Sequence, residues 1–250
     1  MRLKITVIII MLLFSQAFHS FDLDKSVKIW FIDSCISVMP PLFASVLHNN
    51  RGIIIDSFSE GITMLGGQYP HISAKTRQGL IDTMDHMKAE LIKSIKSGPD
   101  FRDLSRSYGI IAAYAFHINN PLSYMNPDDY RKAVLAREYQ GLVRFHNPKI
   151  RIFFYGFYSY DCLIGGQVLQ ELSLKLLESF VKDQNSLYPH NYFDERSIPF
   201  GIAQMHLNAS FSFATVYWFS IWKDGGGYVK DSPFYNISPE KPGQFLAILN

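Results

Sequence analysis

The segment from Ser197 to Gly227 constrains the fold more than any other part of the chain. Ser197-Ile198-Pro199 is a helix start, pairing a hydroxyl that can accept from free backbone N–H groups with a proline whose fixed φ suits the first turn. Gly225-Gly226-Gly227 is a stop. Between them Ile202, Met205, Phe211, Phe213, Val216, Tyr217, Phe219 and Trp222 are spread over most of the helical wheel instead of one stripe. A helix apolar on most faces must be surrounded by others. The expectation is therefore a central helix in an all-α domain. A chain of 250 residues, 48% hydrophobic and 18% charged, can supply the ring around it as one unit.

Helix signals dominate the rest. Residues Ser26 to His48 are interrupted by Pro40-Pro41, which predicts two helical pieces with a break between them. Asn49-Asn50-Arg51-Gly52 reads as a turn, Ile53-Ile54-Ile55 as a buried extended segment or the start of a short helix, and Asp56 as a candidate cap for a helix around Ser57 to Leu65. Gly61 to Pro70, with Gly66-Gly67, reads as a loop ending at His71. Ser73 is placed to cap a helix over about Ala74 to Ser97, with Leu80, Met84, Met87, Leu91 and Ile95 at helical spacing. A helix over about Phe101 to Asn119 follows, then one that starts at Asn126-Pro127-Asp128-Asp129 and runs to about Phe145. The aromatic stretch Ile150 to Tyr160 is expected to be extended core packing or a helix entry, because a lone strand would have no partner. Asp161 to Lys182 reads as a helix, with Gly165-Gly166 allowing close contact. Residues 183–196 read as a polar loop and residues 228–250 as an irregular tail.

The N-terminus has a different character. Arg2 and Lys4 precede an apolar run, Ile5 to Phe14, and Ser15-Gln16-Ala17 offers small residues where a signal peptidase needs them. The run is short for a membrane span. Residues 1–17 are therefore read as a signal peptide and 18–250 as a single helical domain, secreted or periplasmic. Arg2 and Lys4 account for the whole formal charge of +2, so the processed chain is neutral. That charge balance, without a basic run, disfavours nucleic acid as a partner. Cys35 and Cys162 are compatible with one disulfide and equally with two buried thiols.

One stretch carries a resemblance. Gly109-Ile110-Ile111-Ala112-Ala113-Tyr114-Ala115-Phe116-His117-Ile118-Asn119-Asn120-Pro121-Leu122-Ser123 follows, at Gly109, Tyr114 and Pro121, the frame G-x-x-x-H-Y-x-x-D-x-x-x-P-x-H. In this it resembles the zinc-dependent phospholipase C and single-strand nuclease superfamily. The resemblance implies an all-α fold and a metal-dependent phosphodiester hydrolase. The frame's three ligand positions fall on Ala113, His117 and Ser123, of which His117 alone can bind a metal.

In the family an acid activates the attacking water and a histidine about fifteen residues later binds zinc. The resemblance thus implies Asp56 as the catalytic base and His71 with His117 as metal ligands. Against the family's three-metal cluster, Trp30 is not at the expected new N-terminus, His48 is followed directly by a turn, and no H-x-x-x-E occurs between Arg131 and His146. One zinc is the expectation at most, with one open position for water. Aromatic side chains make up 15% of the residues. With the neutral charge they favour a phospholipid or other phosphodiester substrate. The second reading is a non-catalytic binding or structural descendant of the same fold. Among the weaker candidates, His206, Asn208 and Ser210 sit within the apolar last helix, where buried polar groups need partners.

Overall fold

Two adjacent prolines set the first corner of the fold. Helix α1 (Lys25–Ser37), capped by the Asp24 carboxylate on the Ser26 N–H at 2.8 Å, stops before Pro40, and α2 (Pro41–Asn49) begins with Pro41 in its first turn. The computed structural model describes residues 24–68, 74–98, 100–125, 131–146, 149–154, 156–157, 163–184, 195–231 and 247–249. The expected signal peptide lies outside them. Among the described residues the chain continues as α3 (Arg51–Gln68), α4 (Ala74–Ser97), α5 (Phe101–Ile118), a 3-10 turn (Pro121–Tyr124), α6 (Arg131–His146), β1 (Ile152–Phe154), α7 (Gly166–Gln184), α8 (Ile198–Asp224) and β2 (Ala247–Leu249). The protein is all-α apart from one short ribbon. No helix among the described residues is long and apolar enough to cross a membrane.

The expected loop from Gly61 to Pro70 is instead helical as far as Gln68, continuous with Ile53-Ile54-Ile55 in α3. Its first glycine serves contact, not turning. A Cβ on Gly61 would lie 2.7 Å from the Ala113 Cβ and 3.3 Å from the Ile110 Cα, so α3 and α5 meet there almost backbone to backbone. At Gly109 a Cβ would overlap the Ile54 carbonyl oxygen and lie 2.8 Å from the Ser57 Cβ. Only glycine permits that approach. Small residues line both helices at one-turn spacing, Ser57 and Gly61 on α3 facing Ser105, Gly109 and Ala113 on α5, all of them buried. The contact moves forward along both helices together, from Ile54–Gly109 to Gly61–Ala113, so α3 and α5 run in the same direction. Helix α4 carries the chain back between them.

Helix α8 has the central position its sequence predicts. The Ser197 hydroxyl accepts from the Phe200 N–H at 3.2 Å at its start, and Gly226, with φ of 94°, turns the chain away at its end. Phe213, Ala214, Thr215 and Val216 are buried in succession, which takes in every direction of the helical wheel. Helices α1, α4, α5, α6 and α7 and strand β1 all touch it. Next to it Phe31, Phe58 and Phe116 meet with ring centroids 5.8 to 6.0 Å apart, joining α1, α3 and α5 in one aromatic cluster.

The aromatic stretch after α6 does contain a strand, contrary to expectation. Its partner comes from the tail: Ile152 pairs with Leu249, Phe153 with Ile248 and Phe154 with Ala247, antiparallel. The open edge of β1 is closed by α8. The Asn208 Oδ1 accepts from the Phe153 N–H at 2.6 Å and its Nδ2 donates to the Arg151 carbonyl at 2.9 Å. One turn earlier the Gln204 amide accepts from the Arg151 N–H at 3.0 Å and donates to the same carbonyl. Residues i and i+4 of a helix are about 6 Å apart along the axis, close to the about 6.6 Å between alternate residues of a strand. Two amides on one helical face can therefore stand in for a neighbouring strand. Helix α7 begins at Gly166, later than the expected Asp161, which lies outside the described residues. Cys35 is a buried free thiol, and Cys162 lies outside the described residues.

The close α3–α5 contact sets the sign of glycine substitutions. Gly109→Ala is expected to lower stability by about 1–3 kcal/mol, because the overpacking exceeds the helix-propensity gain of about 1 kcal/mol. On α4, a Cβ at Gly79 meets nothing within 4 Å. Gly79→Ala should therefore raise stability by about 0.5–1 kcal/mol. Urea unfolding of the two variants beside the parent measures both, and equal shifts of one sign would contradict the packing account.

Candidate functional site

The end of α5 gathers several buried polar groups, among them Asn119, Asn120 and His206. An α-helix leaves its last carbonyls without intrahelical donors, and here three successive ones are taken by side chains. The Asn119 Nδ2 donates to the Ala115 carbonyl at 3.2 Å, the His206 Nε2 to the Phe116 carbonyl at 2.9 Å, and the Ser123 hydroxyl to the His117 carbonyl at 3.2 Å. The chain then tightens into the 3-10 turn, where the Asn120 Oδ1 accepts from the Leu122 N–H at 3.0 Å and Pro121 has no N–H that would need an acceptor.

The same end reaches two other elements. The Asn119 Oδ1 accepts from the Ile164 N–H at 3.1 Å, while the Arg77 Nη2 of α4 donates to the Ile164 carbonyl at 2.6 Å. The peptide that leads into α7 is thus held from both sides. Arg77 and Tyr124 flank the first residue of that helix: a Cβ on Gly166 would lie 3.7 Å from the Tyr124 ring and 3.9 Å from the Arg77 Nη1. The Arg77 Nε and the Tyr124 hydroxyl are both buried and make no hydrogen bond among the described residues. Burial pushes the Tyr124 phenol up from its ordinary range, with the Arg77 charge pulling the other way, so it is a protonated donor at neutral pH.

The residues singled out from the sequence are distributed differently. Asp56 lies inside α3, which starts at Arg51, so it does not cap the helix; it is exposed on the outer face with Gly52 and Thr63. It is level with Gly109, two turns before His117. That places the two groups about 12 Å apart along the helix axis, with Asp56 turned to solvent. His117 is half-buried in the last turn of α5, its Nδ1 3.5 Å from the Ser123 hydroxyl. His71 lies outside the described residues. Ala113, at the frame's first ligand position, is fully buried against Gly61. Among the described residues no three His, Cys, Asp or Glu side chains converge as metal ligands. They supply two imidazoles at this end of α5, His117 and His206, the second with both ring nitrogens already hydrogen-bonded, short of the three protein ligands a catalytic zinc takes.

His206 is placed in a closed network. Its Nε2 faces a carbonyl, which only accepts, so that nitrogen carries the proton and Nδ1 accepts from the Tyr139 hydroxyl at 3.0 Å. The ring is fully buried, edge-on to Phe116 at 4.4 Å, and links α5, α6 and α8. Of its expected companions, Asn208 holds β1 and the Ser210 hydroxyl is buried without a hydrogen bond. Arg77 and Tyr124 were not legible as site residues. The signals that bear on them were the Gly165-Gly166 pair and the polar Asn119-Asn120 step, neither of which names its partner. Comparison with protein-family models, with curated proteins and with solved structures finds no match.

Burial holds the His206 imidazole down to about 4 from its ordinary 6.5, the Phe116 carbonyl offsetting part of the effect. A base depressed in the folded state contributes stability that is complete above pH 6.5 and is lost as pH falls towards 4. The expected loss across that window is about 3 kcal/mol. His206→Gln should be less stable at pH 7 and lack this component. Urea unfolding of both proteins at pH 7, 5.5 and 4.5 measures it, and parallel pH profiles would contradict the assignment.

Proposed function

We propose that the chain is a secreted or periplasmic binding protein that keeps the helical core implied by the phospholipase C and nuclease resemblance and performs no metal-dependent hydrolysis. The observation that carries this reading is Ala113. The position where the resemblance puts an imidazole is a methyl group pressed against Gly61, and a larger side chain there would force α3 from α5. Ser123 supports it too, since its hydroxyl is engaged on the His117 carbonyl as part of the helix cap. The Asn119 amide is likewise engaged on the Ala115 carbonyl and the Ile164 N–H, and Asn120 caps the 3-10 turn, so the polar groups at the end of α5 support a structural or binding role more than the activation of water.

The reading it competes with is hydrolysis of a phosphodiester by one zinc on His71 and His117, with Asp56 as base. A carboxylate on the solvent face of α3, two turns from His117, supports that reading poorly. Purified processed protein, incubated with excess zinc and desalted, is expected to retain well under one equivalent by elemental analysis. It should also show no metal-dependent turnover of phosphatidylcholine or bis(p-nitrophenyl) phosphate. His117→Ala should change neither result. One equivalent of zinc that disappears in His71→Ala or His117→Ala, together with zinc-dependent turnover, would establish the hydrolase instead.

A further inference from the structure

We propose that β2 is an exchangeable strand: it can leave β1 of its own chain and pair with β1 of a second copy, so that two chains form a dimer by trading it. The exchange is independent of whether the polar groups at the end of α5 bind or hydrolyse a ligand.

The receiving edge is built without β2. Along a strand the backbone N–H and C=O groups of successive residues face opposite edges. In β1 and the residue before it, the odd-numbered positions face α8: the Gln204 amide bonds both the N–H and the carbonyl of Arg151, and the Asn208 amide bonds the Arg151 carbonyl and the Phe153 N–H. The side chains of Ile150, Ile152 and Phe154 are buried, and the Phe154 ring meets Phe157 and Phe211 with centroids 5.0 and 5.9 Å apart. All these contacts belong to the helical core. β1 therefore keeps its place when β2 leaves, with the backbone groups of Ile152 and Phe154 directed at the open edge. Such an edge is a template for another strand.

The strand that fills it is lightly held. Ile152 pairs with Leu249 and Phe154 with Ala247, so two residues of β1, with two groups each, give at most four backbone hydrogen bonds to β2. A pairing this short opens far more readily than the helices around it. A second copy then offers the identical segment in the identical register, and every bond lost within one chain is regained between two. That makes another copy of this chain the occupant, ahead of an unrelated peptide that would have to match by chance. The trade is reciprocal and closes as a symmetric pair.

The connection is long enough. Beyond α8 the chain is pinned to Trp222, whose Nε1 donates to the Tyr228 carbonyl at 3.1 Å and whose carbonyl accepts from the Gly227 N–H at 2.9 Å. β1 lies against Gln204 and Asn208, about 25–30 Å back along the helix axis from Asp224. The fifteen residues 232–246 can span about 50 Å. The excess of about 20 Å lets β2 reach the β1 edge of a neighbour while the exit at Trp222 stays in place.

Cysteines at the Phe153–Ile248 pair test the exchange. These residues face each other where the ladder has no hydrogen bond, with Cα atoms about 4.5 Å apart, within disulfide reach. The double variant Phe153→Cys/Ile248→Cys, oxidised at about 10 µM, should close the bond within one chain. The single variants Phe153→Cys and Ile248→Cys, mixed and held at about 1 mM before oxidation, should give a covalent dimer linking position 153 of one chain to position 248 of the other. Peptide mass spectrometry identifies that link against the thiols of the parent. Internal pairing acts as an effective concentration on the order of 1 mM, so about half of the chains should be exchanged at about 1 mM and about one in fifty at about 10 µM. Light scattering of the parent should follow the same dependence. Leu249→Pro removes a ladder N–H that faces Ile152, and it should stay monomeric at about 1 mM with unchanged helical circular dichroism. If a cysteine variant does not fold, the parent and Leu249→Pro decide. A double variant that closes internally beside a mixture that yields no 153–248 dimer overturns the exchange. So does a parent that is monomeric at about 1 mM, or a parent dimer that Leu249→Pro leaves intact.

Discussion

The near-contact of two helical backbones at Gly61 and Gly109 fixes the positions of the groups described above. With glycine on each helix and Ala113 between them, α3 and α5 come closer than any pair of ordinary side chains would allow. The gain is dispersion attraction over a long seam and the shelter of backbone that larger residues would hold apart. The direction of the pair matters as well. Because both helices run the same way, α4 has to return between them, and Arg77 near its start is carried to the C-terminal end of α5. The polar cluster there is a product of that topology and not of sequence proximity.

Polar side chains then do the work of secondary structure at the places where helices and strands end. Gln204 and Asn208 substitute for a strand along β1. Asn119 and His206 substitute for donors that α5 lacks beyond its last turn, and Ser123 adds a side-chain donor to the backbone ones on the His117 carbonyl. In a core this apolar each substitution is also a specificity device, since sliding α8 by one residue would strand the Phe153 N–H, the Phe116 carbonyl and the Tyr139 hydroxyl together. The aromatic cluster of Phe31, Phe58 and Phe116 supplies bulk contact, while these bonds choose one alignment of it.

Elements bounded by local chemistry were legible in the sequence. Prolines at 40 and 41, the serine before Ile198 and the glycines after Asp224 each act on their own neighbours, and the helices begin or end where they say. What failed were residues whose meaning depends on something distant. Gly61 reads as a turn until α5 is placed against it. Ile152 to Phe154 reads as a strand without a partner because the partner is Ala247–Leu249, far along the chain, and the second edge is a pair of amides on a helix. The candidate site divided in the same way. The position of His117 at the end of an apolar helix was readable, but linear spacing from Asp56 says nothing about which face of α3 the carboxylate occupies, and it is the solvent face. Arg77 and Tyr124 are brought together by the return of α4, which no local pattern records.

The tautomer imposed on His206 has a use beyond structure. Its Nε2 proton sits between a buried ring and the Phe116 carbonyl, with no path to water in the closed protein. Such a proton exchanges with solvent only when the surrounding helices separate, so its resonance is a native clock for that opening. The lifetime of one ring proton thus reports, without label or substitution, how often the junction of α5, α6 and α8 comes apart.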